Sequence, residues 1–180
     1  MKIIAMAVVA LALVSPSFAD DDVVSAVHGT VVRIDQGTKI VVVKTADGTR
    51  HSLHFVDKTA VHGGELSADG ASDSWHGLAK GSEVVAHYTK RGTEDTAVEI
   101  DRVGRDGLKT VKGTVTGIDR GGKDLVVDTG KGTKRTFELT DHASEDAGRD
   151  IAKGTVKGTK VTVYYTEDAG RKVAHFFEAL

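Results

Sequence analysis

Histidine is the side chain best suited to chemistry in this sequence, and six of its eight copies fall in the first half: His28, His51, His54, His62, His76 and His87. His142 and His175 complete the set. There is no cysteine, and the two methionines, Met1 and Met6, lie in an apolar N-terminal segment. Imidazole and carboxylate without thiolate or thioether suit borderline divalent ions such as Zn²⁺, Ni²⁺ or Cu²⁺. The pattern names one candidate set. His62, Asp73 and His76 flank a Gly-rich loop that also carries Glu65 and Asp69, and a loop can gather three such donors round a Zn²⁺ or Ni²⁺ ion. The spacing is loose, with no tight H-x-H or H-x-x-x-H pair, so the competing reading is solvated histidines scattered over strands and loops. Nothing in the sequence demands a cofactor.

Other chemistries find less support. The sequence offers neither a cysteine nucleophile nor a G-x-S-x-G elbow. Asp141, Glu145 and Asp146 read as acids favoured by a helix N-terminus rather than as a catalytic pair. The run "GRDGLKTVKG" lacks the strand-to-helix setting of a phosphate loop. The expectation is a protein that is not an enzyme. Its net charge of −2 also argues against nucleic acid, which selects basic surfaces that can displace counterions.

The elements that carry these side chains occur twice. "GTVVRID" at 29–35 returns as "GTVTGID" at 113–119, and 13 of the 29 positions from Gly29 to Asp57 are identical 84 residues later. "GSEVVAHYT" (81–89) matches "GTKVTVYYT" (158–166) at an offset of 77, which places extra residues of the first copy between Thr59 and Lys80. Two copies of a unit of about 80 residues are too few for a solenoid, so the expectation is two tandem domains. Each copy reads as three short strands, a short helix and two strands. That order predicts a mainly β protein made of two five-stranded OB-like barrels, with an SH3-like barrel as the alternative.

Local chemistry sharpens the strands. Val31 and Ile34, like Val115 and Ile118, are apolar but three apart, which requires a bulge if both face the core. A three-residue hairpin loop, Ala46-Asp47-Gly48, pairs Val41 with Leu53 and keeps apolar faces together, with Gly48 left-handed; Gly132 takes the same role in the second copy. Asp141 is expected to cap the helix "DHASEDAGRDIAKG", with Gly154 ending it, and "DGASDSWHGLAKG" is its counterpart in the first copy. Only half of Tyr164, Tyr165, Phe176 and Phe177 can point inward. The outward pair is free for a barrel–barrel contact, a partner surface or a ligand groove. Tyr164, Phe176, His54 and the lone Trp75 are the candidate surface residues, although for Trp75 plugging a barrel end is the favoured reading over a recognition loop.

Residues 1–19 read as a secretory signal peptide: Lys2, an apolar run from Ile3 to Val14, and Ser17-Phe18-Ala19 before the cut. Cleavage there removes Lys2 and takes the charge to −3. The expected location is the periplasm or the medium, with no membrane span after cleavage. The expected layout is a first barrel over 23–103, a linker over 104–110 and a second barrel over 111–180. Near 80 residues without a disulfide, each barrel is marginal alone, so the two should pack together.

Each copy resembles the secreted bacterial β-barrel domains of unknown function that run G-T-V-x-x-I-D, V-x-T-x-D-G and G-x-x-V-x-V. The resemblance spans the mature chain and implies fold and export, with no activity attached. The pattern is also similar to the small periplasmic copper chaperones with an OB barrel, which hold Cu(I) through methionine, histidine and a tryptophan ring. Trp75-His76 matches in residue type, but no methionine accompanies it, so that ligand set does not carry over. The sequence thus leads to an exported, non-catalytic binding or scaffold protein for an unidentified protein or small ligand. Its alternative is divalent metal binding by the first barrel.

Overall fold

The computed structural model describes residues 24–63, 75–119, 123–152 and 157–180. The signal segment, Asp73, Glu65, Asp69 and Gly154 lie outside them. The first copy contains β1 (Val24–Asp35), β2 (Ile40–Lys44), β3 (Arg50–His54), β4 (Ala60–His62), β5 (Glu83–Arg91) and β6 (Glu94–Arg102). β2, β1, β5 and β6 follow β3 in antiparallel order, and a parallel β3–β6 pairing joins the ends into a barrel. β4 pairs with β6 further along the edge that β3 occupies, also in parallel. The second copy contains β7 (Lys109–Ile118), β8 (Asp124–Asp128), β9 (Lys134–Leu139), helix α1 (Asp141–Ala152), β10 (Lys160–Asp168) and β11 (Arg171–Ala179). It too closes into a barrel, β10-β11-β9-β8-β7. The protein is two tandem five-stranded barrels.

The expected register holds in detail. Val41 pairs with Leu53, and Gly48 is left-handed in a turn closed by its amide on the Thr45 carbonyl. Val32 and Thr116 are the extra residues of matching bulges, so Val31 and Ile34 both reach the first core, as Val115 and Ile118 reach the second. Gly132 is left-handed as well, but its turn differs: Gly130 and Lys131 also have positive φ, and Thr133 donates to the Gly130 carbonyl. The cores are valine-rich, with Val31, Val41, Val43 and Leu53 in the first and Leu125, Val127, Phe137 and Val163 in the second, all fully buried.

The repeated Gly-Thr-Val opening has a steric cause. A Cβ on Gly29 would overlap the Lys44 carbonyl, and one on Gly113 would overlap the Val127 side chain and the Asp128 carbonyl. The bent first strand crosses its neighbour too closely for any side chain there. Gly113→Ala is expected to cost about 1–3 kcal/mol, as overpacking does, in urea unfolding of the intact chain.

The helices need two corrections. In the second copy the cap is Thr140, not Asp141: the Ala143 amide donates to Thr140 Oγ1 and the Ser144 amide to its carbonyl, so Asp141 already has helical backbone. In the first copy the described part of the expected helix is a tight turn. Trp75 and Leu78 exchange backbone hydrogen bonds, and His76 and Gly77 have φ of 50° and 78°, which no right-handed helix accommodates.

Candidate metal centre between the barrels

Alternation along β5 sends Val84 and Ala86 into the first core and turns Val85 and His87 outward. On β6 a bulge at Val98 resets the parity, so Ala97 and Ile100 both face the core. Glu99 and Asp101, two apart, then share the outer face. The second barrel repeats the device: its bulged residue on β11 is His175, and Tyr164 and Phe176 occupy the outward positions equivalent to His87 and Glu99. These outer faces meet. Tyr164 and Phe176 pack with Val85 and Leu108, against Ala26 and Val103, in an apolar cluster separate from either core.

Beside that cluster the seam is polar. Glu99 Oε2 lies 2.8 Å from His142 Nδ1, and Glu99 Oε1 lies 3.5 Å from His62 Nε2 and 3.9 Å from His175 Nδ1. His175 Nδ1 is 3.2 Å from Asp101 Oδ2, while its Nε2 meets Thr166 Oγ1 at 3.2 Å. Asp101 is 2% exposed, which for a carboxylate demands compensating cations or donors. His62, Glu99 and Asp101 each bring a donor atom within 4.8 Å of the others. A hollow of about 250 Å³ opens onto them, walled also by Leu108, Thr166 and His175.

His87 completes the cluster from below. It is fully buried, its ring centroid is 5.5 Å from that of His142, and neither ring nitrogen makes a properly formed hydrogen bond. Burial drives its pKa down to about 4, against the attraction of Glu99 and with the help of His142 and His175; the nearby backbone of His175 favours the charged ring only in part. His87 is therefore neutral at pH 7, with a free lone pair. Burial also lowers His175, but the hydrogen bond and charge of Asp101, reinforced by Glu99, outweigh it and leave this ring above its ordinary value.

A second polar link crosses the seam. Tyr164 donates to Glu178 Oε1 at 2.6 Å and meets His28 Nδ1 at 3.0 Å, while His28 Nε2 reaches Glu83 at 2.8 Å. Desolvation, then Glu178, raises the Tyr164 pKa, so its hydroxyl stays protonated. Tyr164→Phe keeps the ring in the apolar cluster and removes this link. The expected loss is about 1–3 kcal/mol, read by denaturant unfolding, because charged and buried partners are left behind.

The candidate residues separate. His62 is in the metal-competent group. His76 is not; its ring lies against Phe55 and Trp75. Asp73 is outside the described residues. Trp75 packs its ring 4.7 Å from Phe55 on the first core, as a plug would. His54 lines a shallow hollow with His51 and Asp95. Tyr164 and Phe176 form the barrel–barrel contact. Four members of the seam, Glu99, Asp101, His142 and His175, were not among the sequence candidates. Two signals pointed to them: Glu-x-Asp at strand spacing, and two histidines with no counterpart in the first copy, where Lys58 and Val98 stand.

No protein-family profile and no curated protein matches the chain. One solved structure that it resembles is that of Ag(I)CusF, at 15% identity and a TM-score of 0.32, covering 44% of this chain and 97% of that one. Among the described residues, no helix is long and apolar enough to cross a membrane.

Proposed function

We propose that this is an exported, non-catalytic binding protein whose ligand is a divalent transition-metal ion held by His62, Glu99 and Asp101 of the first barrel. The observation that carries this reading is the convergence of one imidazole and two carboxylates within 4.8 Å, one carboxylate almost wholly buried. Two carboxylates brought so close repel each other where water is scarce, and a cation relieves that repulsion. The neighbouring His87 supports the reading, because a buried imidazole with a free lone pair belongs beside an ion more readily than in an apolar core. The signal-like segment 1–19 supports export to the periplasm or the medium.

Calorimetric titration of the mature chain with Zn²⁺, Ni²⁺ and Cu²⁺ tests this. One ion per chain at micromolar or tighter affinity is expected, and the double variant Glu99→Gln/Asp101→Asn should weaken it at least about 100-fold, by analogy with the 10–100-fold usual for outer-shell changes alone. No binding, or binding that survives the double variant, would overturn the assignment.

A further inference from the structure

The three first-barrel donors leave a metal ion one ligand short of the usual four, and the second barrel fills that place. We infer that the bound cation is a clasp between the two copies, with His175 as the fourth ligand. This rests on the metal-binding reading above and extends it to a cross-barrel site.

The geometry is the first argument. Bond lengths of about 2.0–2.2 Å to nitrogen and oxygen put the donors of a tetrahedral zinc site roughly 3.3–3.6 Å apart. The edges here are 3.5 Å from His62 Nε2 to Glu99 Oε1, 3.9 Å from Glu99 Oε1 to His175 Nδ1, and 3.2 Å from His175 Nδ1 to Asp101 Oδ2. His175 lies outside the group whose donors are mutually within 4.8 Å, so its ring must move toward His62 for the four atoms to share one ion.

The outer contacts are the second argument. A histidine that binds metal through Nδ1 must carry its proton on Nε2, and Thr166 Oγ1 sits 3.2 Å from that nitrogen, placed to accept it. Glu99 has its other oxygen fixed at 2.8 Å by His142 Nδ1, so Oε1 is left to face the ion. Thr166, His142 and His175 all belong to the second barrel, whereas His62, Glu99 and Asp101 belong to the first. His87, fully buried, lies close to the same Glu99, His142 and His175.

Two imidazoles with two carboxylates select Zn²⁺, Ni²⁺ or Cu²⁺ over Ca²⁺ and Mg²⁺, which take oxygen-only shells. Because the ligands come from both copies, the ion binds the docked arrangement and not separated barrels. Its binding free energy therefore adds to the docking of the barrels.

The test measures Zn²⁺ affinity of the mature chain by competition with a chromophoric chelator, for the wild type and for His175→Ala, Thr166→Val and His51→Ala/His54→Ala. It is paired with ¹⁵N–¹H imidazole correlation spectra of the unsubstituted protein. His175→Ala should weaken Zn²⁺ at least about tenfold and Thr166→Val about tenfold, while His51→Ala/His54→Ala leaves it unchanged. In the spectra, Zn²⁺ should move the Nδ1 resonance of His175 and leave Nε2 protonated, a readout that needs no variant to fold. Tight Zn²⁺ binding with an unmoved His175 resonance, or unchanged affinity in His175→Ala, would overturn the clasp and leave the first-barrel site standing. Absence of Zn²⁺ binding in the wild type would overturn both.

Discussion

Acidification from pH 7 to pH 4 is expected to cost the metal-free protein on the order of 3 kcal/mol through His87 alone, at 1.36 kcal/mol per pKa unit. The sign follows from proton linkage. In the unfolded chain this ring titrates near 6.5, whereas burial holds it at about 4 in the fold. As the pH falls through that interval the unfolded chain takes up the proton first, so stability is full above 6.5, declines across the window and levels off below about 4. His175 works in the opposite sense, and only above 6.5. Its pKa is raised, so its contribution is complete below 6.5 and disappears only as the pH rises through its folded value. The groups facing His87 are Glu99, which favours its charged form, and His142 and His175, which oppose it. Urea unfolding from pH 7 to 4.5 in the presence of a chelator checks this. Wild type should lose stability along the series and His87→Leu should show a shallower slope; parallel slopes would contradict the assignment of the acid sensitivity to His87.

The second large effect is expected at the centre of the other barrel. Phe137 is fully buried and meets Tyr165 edge-on at a centroid distance of 5.1 Å. Phe137→Ala should cost about 3–5 kcal/mol. Since a barrel of this size is marginal by itself, that loss is comparable to its whole stability. Trp75, the sole tryptophan, sits on the first barrel and reports it separately. The apolar contact of Val85 and Leu108 with Tyr164 and Phe176 couples the two units. The midpoint of Trp75 fluorescence should therefore move down together with that of far-UV circular dichroism. A Trp75 midpoint identical to wild type would show that the barrels unfold independently.

The barrels were legible in the sequence because their determinants are local and doubled. Val41 against Leu53 follows from alternation and one loop length, and the bulge follows from Val31 and Ile34 being three apart. The glycine of Gly-Thr-Val was visible as a repeat, but its cause, a close crossing over Lys44, is a three-dimensional fact. The expected helix in the first copy failed over Trp75–Leu78 because composition does not reveal two consecutive left-handed residues.

The site was half legible for a related reason. The excess of histidine singled out the first copy and His62 within it. The partners of His62 are remote in sequence: Glu99 and Asp101 come to it through β4 pairing with β6, and His142 and His175 come across the seam. No spacing rule spans that distance. The bulges at Val98 and His175 each shift a strand's parity by one, and simple alternation assigns those side chains to the wrong face.

The most direct measurement is an anomalous difference map from crystals of the mature protein grown with Zn²⁺, recorded at the zinc edge. A single strong peak is predicted in the seam, at about 2.0–2.2 Å from donors on His62, Glu99, Asp101 and His175. A peak elsewhere, for instance between His51 and His54, with none between the barrels, would contradict it.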